Sequence, residues 1–348
     1  AMAFARRDGN GWRISAGSLP PGLALDGGPD CLTWAGWAQV GTITPDDGTG
    51  ERTEISGLAA SRRNPGILWA HDDSGAEAIL HALAEDGTLV QRYLLDAAPY
   101  DWEDMCLGPG PDPSLEYLYV GDVGDNGKRR AHVTILRVEE PLVSAVGAGL
   151  IPLAHDAFVL RYPDGARDCE ALVVDWGSGT PYLIEKDEDG ADAFRVPLPL
   201  DEAWTEGAPG LMEAATTGRP LPGSLTAADA ARDGRRIVLR SYTLGYELTG
   251  LPELGFESAF LATPCTIAVP FLGQYESLAL GGDGSSLYTT TELVLGDAVP
   301  LHRTDADPDH AGGMIEGTPT ESGRWTITVE VRDTSGAEAT RTLTIEIR

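Results

Sequence analysis

The chain has little lysine, little cysteine and no long apolar run, and each shortage excludes a class of protein. Lys128 and Lys186 are the only lysines, and 25 basic residues stand against 54 acidic ones, for a formal net charge of −29 at pH 7. Such a charge repels nucleic acids and anionic lipids and attracts metal cations. No apolar run approaches the roughly 20 residues of a membrane helix. We therefore expect neither nucleic-acid binding nor membrane insertion.

The cysteines are too few and too scattered for a zinc site. Cys31, Cys106, Cys169 and Cys265 form no CxxC pair and have no histidine at metal-ligand spacing. Four cysteines allow three different pairings, and the sequence does not choose among them. Free buried thiols are the favoured alternative, because cysteine is among the residue types most often buried.

One unit of β structure recurs five times along the 348 residues. Each copy has a short apolar strand that begins at a polar residue, a turn, and a strand rich in β-branched and aromatic residues. The copies lie about 50 to 70 residues apart, which fits four-stranded propeller blades with loop insertions. Helical periodicity is absent, so the sequence predicts an all-β, five-bladed β-propeller. The first strands of the copies begin at Ser56, Glu103, Glu170, Thr226 and Glu276.

One early strand has no blade of its own. It spans residues 37–43, ahead of the first copy, whereas the last copy ends with only a third strand at 299–303. We expect the early strand to complete the last blade, because that pairing closes the ring and removes its free sheet edges.

The two ends of the chain contain further strands. "SLPPGL" occurs within residues 12–26, and "GTPTESG" precedes two alternating strands at 325–331 and 339–347. These segments resemble parts of the Ig-like modules of bacterial surface proteins, where the two motifs lie close together. The resemblance implies an Ig-like β-sandwich split into residues 4–30 and 309–348, with the propeller, residues 31–308, inserted in one loop. We expect the chain to be part of a longer multidomain protein.

The first residues of the inner strands converge on the propeller axis, because the innermost strand of each blade lines the central channel. Three carboxylates meeting there would raise one another's pKa values unless a cation neutralises them. Carboxylates and hydroxyls suit Ca²⁺ better than Mg²⁺, which prefers a tight octahedron with several waters. The alternative is a water-filled channel. The predicted calcium ligands are Ser56, Glu103, Glu170, Thr226 and Glu276.

This series resembles that of the calcium-activated apyrases, secreted five-bladed propellers whose central calcium is held by Ser, Glu, Glu, Ser and Glu, one from each blade. Thr226 is the single departure from it. The segment "DDSG" at 72–75 is similar to the apyrase "DDRTG", and "LYVG" at 118–121 to its "LYVGG". The resemblance implies an axial calcium and hydrolysis of nucleotides. The net charge opposes an anionic substrate unless calcium is bound.

Loops that follow the second strands lie on the same face as the axial residues and line the predicted channel mouth. Such a mouth is the default ligand site of the fold. The alternative is that Asp and Asn residues beside glycine only form turns. The candidate ligand-binding residues, here called the rim residues, are His71, Asp72, Asp73, Asp122, Asp125, Asn126, Lys186, Asp187, Tyr242 and Glu292.

These patterns lead to one favoured function and two rivals. We expect an extracellular or cell-surface, calcium-binding, adhesin-like propeller that binds a glycan, a peptide or a small molecule and is displayed on the Ig-like module. The first rival is a calcium-dependent hydrolase of phosphate esters or nucleotides, in which Asp72 or Asp122 activates water. The second is a structural spacer without a ligand. A binding module is favoured over an enzyme, and no residue is assigned as catalytic.

Overall fold

The structure is a computed structural model that describes residues 3–8, 11–16, 31–43, 54–73, 77–143, 149–216, 221–251, 254–271, 274–291, 299–307, 313–315, 323–332 and 338–347. The chain divides into two compact units. Pro29–Asp305 form one unit, and Ala1–Gly28 together with Ala306–Arg348 form the other.

The unit Pro29–Asp305 is a five-bladed β-propeller, as the sequence predicts. Each blade is one sheet, and its first strand is the innermost. Blade 1 consists of Ile55–Ala60, Ile67–Asp72, Ile79–Ala84 and Leu89–Leu95, with Leu150–Leu153 added in parallel. Blade 2 consists of Trp102–Pro109, Glu116–Asp122, Val133–Glu139 and Asp156–Arg161, with Gly210–Leu211 added in parallel.

The remaining three blades have four strands each. Blade 3 consists of Cys169–Val174, Pro181–Glu185, Ala193–Arg195 and Glu213–Ala214. Blade 4 consists of Leu225–Ala230, Arg236–Ser241, Leu244–Thr249 and Cys265–Ala268, with a 3₁₀ helix at Phe256–Leu261 before the last strand. Blade 5 consists of Ala279–Leu280, Ser286–Thr289, Val299–Asp305 and Ala38–Ile43.

The ring closes through the early strand, and this prediction is confirmed. Ala38–Ile43 pairs antiparallel with Val299–Asp305, so the first strand of the propeller is the outermost strand of the last blade. The backbone N–H of Ala35 also donates to the carbonyl of Asp305 at 2.9 Å. The five inner strands contact one another in ring order, with that of blade 5 against that of blade 1.

The hydrophobic core lies between the blades, as one cluster at each of the five junctions. Inner-strand side chains alternate between the two neighbouring junctions. In blade 3, for example, Ala171 and Val173 pack toward blade 4, whereas Leu172 and Val174 pack toward blade 2. Because both faces of an inner strand are buried, its sequence is a continuous apolar run rather than an alternating one.

Two buried aspartates tie inner strands together inside the channel. Asp104 of blade 2 accepts hydrogen bonds from the backbone N–H groups of Met105, Leu172 and Ala228, each at 2.9 Å, and so links blades 2, 3 and 4. Asp229 of blade 4 accepts from the N–H of Leu280 in blade 5 at 2.8 Å. These carboxylates satisfy backbone donors that burial would otherwise leave unpaired.

The cysteines differ in part from the expectation of free thiols. Cys31 and Cys265 form a disulfide, which joins the segment ahead of the closing strand to the outermost strand of blade 4. The pair lies 234 positions apart in sequence, so only the closed ring brings the two residues together. Cys106 and Cys169 are free and buried, as expected.

The second compact unit contains strands from both ends of the chain. Ala3–Asp8 pairs antiparallel with Gly11–Ala16 on one side and with Gly313–Ile315 on the other. Gly323–Arg332 and Glu338–Ile347 form a separate antiparallel hairpin, at the place where the sequence predicts two alternating strands. The Ig-like assignment of this unit stays a prediction.

In the part of the chain that the structure describes, no helix is long and apolar enough to cross a membrane.

Candidate cation site at the channel mouth

The five predicted axial residues lie at matching places in the ring. Four of them sit where the inner strand has a register irregularity against the second strand, at Ser56, Glu103, Glu170 and Thr226. A bulge of this kind turns a side chain away from the regular alternation of the strand. The fifth, Glu276, comes just before the inner strand of blade 5. All five are at least nine-tenths buried, with exposed fractions from 1% to 6%.

The three axial glutamates are close enough to affect one another's ionisation. Burial raises the pKa of Glu103 well above its usual value, and the charges of Glu170, Asp73, Asp101 and Glu276 raise it further. Burial likewise raises the pKa of Glu170, and the nearby charge of Glu276 adds to that rise. Burial is the main cause of both rises, and repulsion between the carboxylates adds to it.

Two of the axial glutamates already have partners. The Lys186 ammonium forms an ion pair with Glu170 and lies 5.3 Å from the centre of the Tyr242 ring. Burial acts to lower the pKa of Lys186, but the charge of Glu170 and the hydrogen bonds to Glu170 and Tyr242 together outweigh it, and the pKa is raised. The Tyr242 hydroxyl donates to Glu276 at 3.0 Å. One of the two lysines of the chain thus supplies a positive charge at the axis itself.

Glu103 has a different environment, and it forms a cluster with two loop carboxylates. Asp73 follows the second strand of blade 1, Asp101 precedes the inner strand of blade 2, and one oxygen from each of the three residues lies within 4.8 Å of the others. Among the described residues, no hydrogen-bond donor or basic side chain contacts the Glu103 carboxylate, which is 5% exposed. Asp73 Oδ1 is also buried without a partner.

The backbone holds this cluster in a defined shape. The carbonyl of Asp101 accepts hydrogen bonds from the N–H groups of Val123 and Gly124, at 3.1 and 3.2 Å. Gly124 lies directly against the carboxylates, since a Cβ atom added there would be 2.0 Å from Glu103 Oε1 and 2.6 Å from Asp101 Oδ2. Only glycine leaves room for both side chains at this position.

The cluster fits a hard divalent cation. Its donors are all carboxylate oxygens, which Ca²⁺ and Mg²⁺ prefer. A buried carboxylate without a partner is costly, and a cation would offset both the burial and the neighbouring charges that raise the pKa of Glu103. Burial and the charge of Asp73 also raise the pKa of Asp101, to about 6, while Arg130 opposes the rise. Ca²⁺ takes about six to eight oxygen ligands, so three side chains would leave positions for water or a bound molecule.

Four acidic rim residues mainly bond to nearby backbone or basic groups. Asp72 accepts from the N–H of Glu54 at 3.1 Å and pairs with His81 at 3.1 Å. Asp122 pairs with Arg130 at 2.8 Å. Asp125 accepts from the N–H groups of two following residues, Arg129 and Arg130. Asp187 contacts Lys128 and accepts from the N–H of Asp189.

The other rim residues are more diverse. Asp73 belongs to the cluster and Lys186 and Tyr242 to the axial pairs, whereas Asn126 is exposed. His71 is fully buried with its ring edge-on to Trp102, at 5.2 Å between ring centres, so it does not line the mouth. Glu292 lies outside the described residues.

Sequence reasoning missed Asp101 and Gly124 as parts of the site. Asp101 lies two positions before the axial Glu103, and Gly124 is in the polar loop that follows the second strand of the same blade. A search of the segments on both sides of each axial residue for further carboxylates would have found Asp101. No sequence pattern predicts the ion pair between Lys186 and Glu170.

Comparison with known proteins gives little beyond the fold. No family description and no curated protein matches the sequence. Among solved structures, the chain is similar to the pyrroloquinoline-quinone-bound aldose sugar dehydrogenase of Streptomyces coelicolor, at 13% identity and a TM-score of 0.46, over 81% of this chain and 100% of that one. It is also similar to a luciferin-regenerating enzyme, at 11% identity and a TM-score of 0.40, over 76% and 96%. Likeness this low carries no chemistry across.

Proposed function

We propose that the propeller is a calcium-dependent ligand-binding head. The observation that carries the proposal is the Asp73, Asp101 and Glu103 cluster, in which Glu103 is buried without any neutralising partner. A cation held there by three carboxylates would present its open coordination positions to a molecule in the mouth. Calcium is favoured over magnesium because it accepts an irregular set of oxygen ligands.

The proposed cation position differs from an axial cage of five ligands. Lys186 already neutralises Glu170, and the Thr226 hydroxyl is within 3.5 Å of the Arg240 and Tyr275 carbonyls. We therefore assign the ion to the junction of blades 1 and 2 and retain only Glu103 of the predicted ligands as a primary one. Glu170→Gln should then leave calcium affinity within a few-fold of the wild type, whereas an axial cage requires a large loss.

Binding is favoured over hydrolysis by the contacts of the two proposed bases. Asp72 is paired with His81, and Asp122 is paired with Arg130 and holds two backbone N–H groups. Each is therefore committed to a local contact rather than free to activate water. An anionic phosphate ester would also meet a mouth that remains rich in carboxylates.

We further propose an extracellular or cell-surface location, with the split terminal unit as an Ig-like support. The Cys31–Cys265 disulfide is compatible with an oxidising environment. The pairing of Ala3–Asp8 with Gly313–Ile315 is compatible with a support domain built from both ends of the chain.

Calorimetric titration of the metal-free chain with CaCl₂ tests the cation site. We expect binding to the wild type and a higher melting temperature, since a ligand at 100 times its Kd stabilises by about 2.7 kcal/mol. Glu103→Gln should abolish both effects. Glu188→Gln, the same change at an exposed loop position of blade 3, should preserve both. Absence of calcium binding to the wild type, or wild-type affinity in Glu103→Gln, would overturn the proposal.

A further inference from the structure

Tyr100 is an exposed aromatic residue immediately beside the cation site. Its exposed fraction is 69%, although it directly precedes the half-buried Asp101 of the cluster. Consecutive Cα atoms are about 3.8 Å apart, so the ring starts within one residue of a proposed cation ligand. A large exposed ring next to a polar site is a common feature of recognition surfaces.

The structure fixes Tyr100 rather than leaving it on a loose loop. Its backbone N–H donates to Asp122 Oδ2 at 3.0 Å, and the N–H of Asp101 donates to Asp122 Oδ1 at 3.2 Å. The Arg130 guanidinium lies 4.6 Å from the centre of the Tyr100 ring and is itself tied to Asp122 and to the carbonyl of Gly124, both at 2.8 Å. One face of the ring therefore has a supporting cation, and the exposed area is left for a ligand.

The charge at the mouth restricts the ligand class. Three carboxylates of the cluster outnumber the two charges of a calcium ion. Arg130 and Lys186 are engaged with Asp122 and Glu170, so neither is free to grip an anion. A ligand at this mouth should therefore be neutral and should offer oxygen atoms to the ion.

We propose that the ligand is a neutral sugar with neighbouring hydroxyl groups. The hydroxyls would complete the coordination of the cation, and the apolar face of the sugar ring would pack on Tyr100. This inference rests on the proposed calcium site and adds the chemical class of its ligand. Tyrosine suits the role because it offers a rigid, amphipathic surface at low cost in conformational entropy.

Retention of the full chain on sugar-bearing agarose beads tests the inference. The beads carry mannose, galactose, fucose or rhamnose, and parallel beads carry mannose 6-phosphate. We expect retention on at least one neutral sugar with CaCl₂ and release by chelator. Tyr100→Ala should weaken the sugar Kd about three- to tenfold, the magnitude of one aromatic contact, and Tyr100→Trp should restore it. Calcium affinity, measured by calorimetry, should be unchanged in both variants.

The outcomes distinguish a failure of the cation site from a failure of the sugar inference. Absence of calcium binding in the wild type overturns the cation site and the sugar site together. Calcium binding without retention on any of the four neutral sugars overturns the sugar inference alone, and so does retention on the phosphorylated beads only. Retention that survives chelator, or that is unchanged in Tyr100→Ala, also overturns it, because the sugar would then bind elsewhere.

Discussion

Both the mouth and the interior of the axial channel contain buried carboxylates. The interior ones accept hydrogen bonds from the backbone, whereas Glu103 at the mouth does not, within the described part of the chain. In the interior, Asp104 accepts three backbone N–H groups and Asp229 accepts two, from Ala230 and Leu280. At the mouth, Glu103 accepts none from the described residues, although it is the direct neighbour of Asp104 in sequence. The interior aspartates therefore hold neighbouring inner strands together through backbone hydrogen bonds, although burial raises the pKa of both, whereas Glu103 forms no such bond with the described residues and would be stabilised by a cation.

Removing the Asp104 carboxylate should change the free energy of unfolding most. Asp104→Ala would leave the N–H groups of Met105, Leu172 and Ala228 without their acceptor in three blades. We expect a loss of about 3 kcal/mol or more in the free energy of unfolding, measured by urea denaturation. Asp104→Asn, which keeps one acceptor oxygen, should lose less. Equal stability of wild type and Asp104→Ala would contradict the structural role.

The pH dependence of stability should reveal the cost of charging Asp229. Burial raises its pKa to about 6, from an ordinary value of 3.8. The folded state therefore holds this proton more tightly, and the stabilisation, complete below about pH 4, is lost as the pH rises through about 6. From pH 4.5 to 7.5, the metal-free protein should lose about 2 kcal/mol that Asp229→Asn does not lose. Identical pH slopes in the two proteins would refute this assignment.

Replacing Glu103 at the mouth by a neutral side chain should raise the free energy of unfolding, whereas Asp104→Ala lowers it. In chelator and at a pH above the raised pKa of Glu103, Glu103→Gln removes a buried charge without a partner, so we expect the free energy of unfolding to rise by about 1 to 2 kcal/mol. Urea denaturation of the metal-free proteins measures this change, and Glu188→Gln, at an exposed position, serves as the matched control. A destabilised Glu103→Gln would show that Glu103 has a stabilising partner, as Asp104 does, and would contradict the proposed difference between the two residues.

Crowding the cluster with a methyl group should have a smaller effect, confined to calcium affinity. Gly124→Ala places a methyl group against Glu103 Oε1 and Asp101 Oδ2, so the carboxylates must separate. We expect calcium affinity to fall about tenfold, or about 1.4 kcal/mol, by calorimetry. Gly127→Ala, in the same loop but with no atom nearer than 3.5 Å to the added Cβ, is the control. Unchanged affinity in Gly124→Ala would place the ion elsewhere.

The sequence predicts the ring better than it predicts the site. Five blades, the closing strand and the matching positions of the five axial residues follow from a repeat whose spacing and apolar strands the fold itself requires. The cluster does not follow, because its members come from loops of two blades, and loop residues such as Asp73 and Asp122 look alike in sequence. Asp73 Oδ1 is buried without a partner among the described residues, whereas Asp122 is paired with Arg130. This difference depends on side-chain contacts that no local pattern encodes.

The Cys31–Cys265 disulfide also determines how the propeller would respond to mechanical force. A pull applied to the two ends of this unit reaches Cys31 first and passes through the disulfide to Cys265, on the outermost strand of blade 4. The chain between these residues, which includes blades 1 to 3 and the cation site, is then outside the covalent path of the load. Only the segment from Cys265 to Asp305 carries tension along the chain, so the three blade 5 strands that follow Cys265 would bear the load, while Asp73, Asp101 and Glu103 lie outside its covalent path.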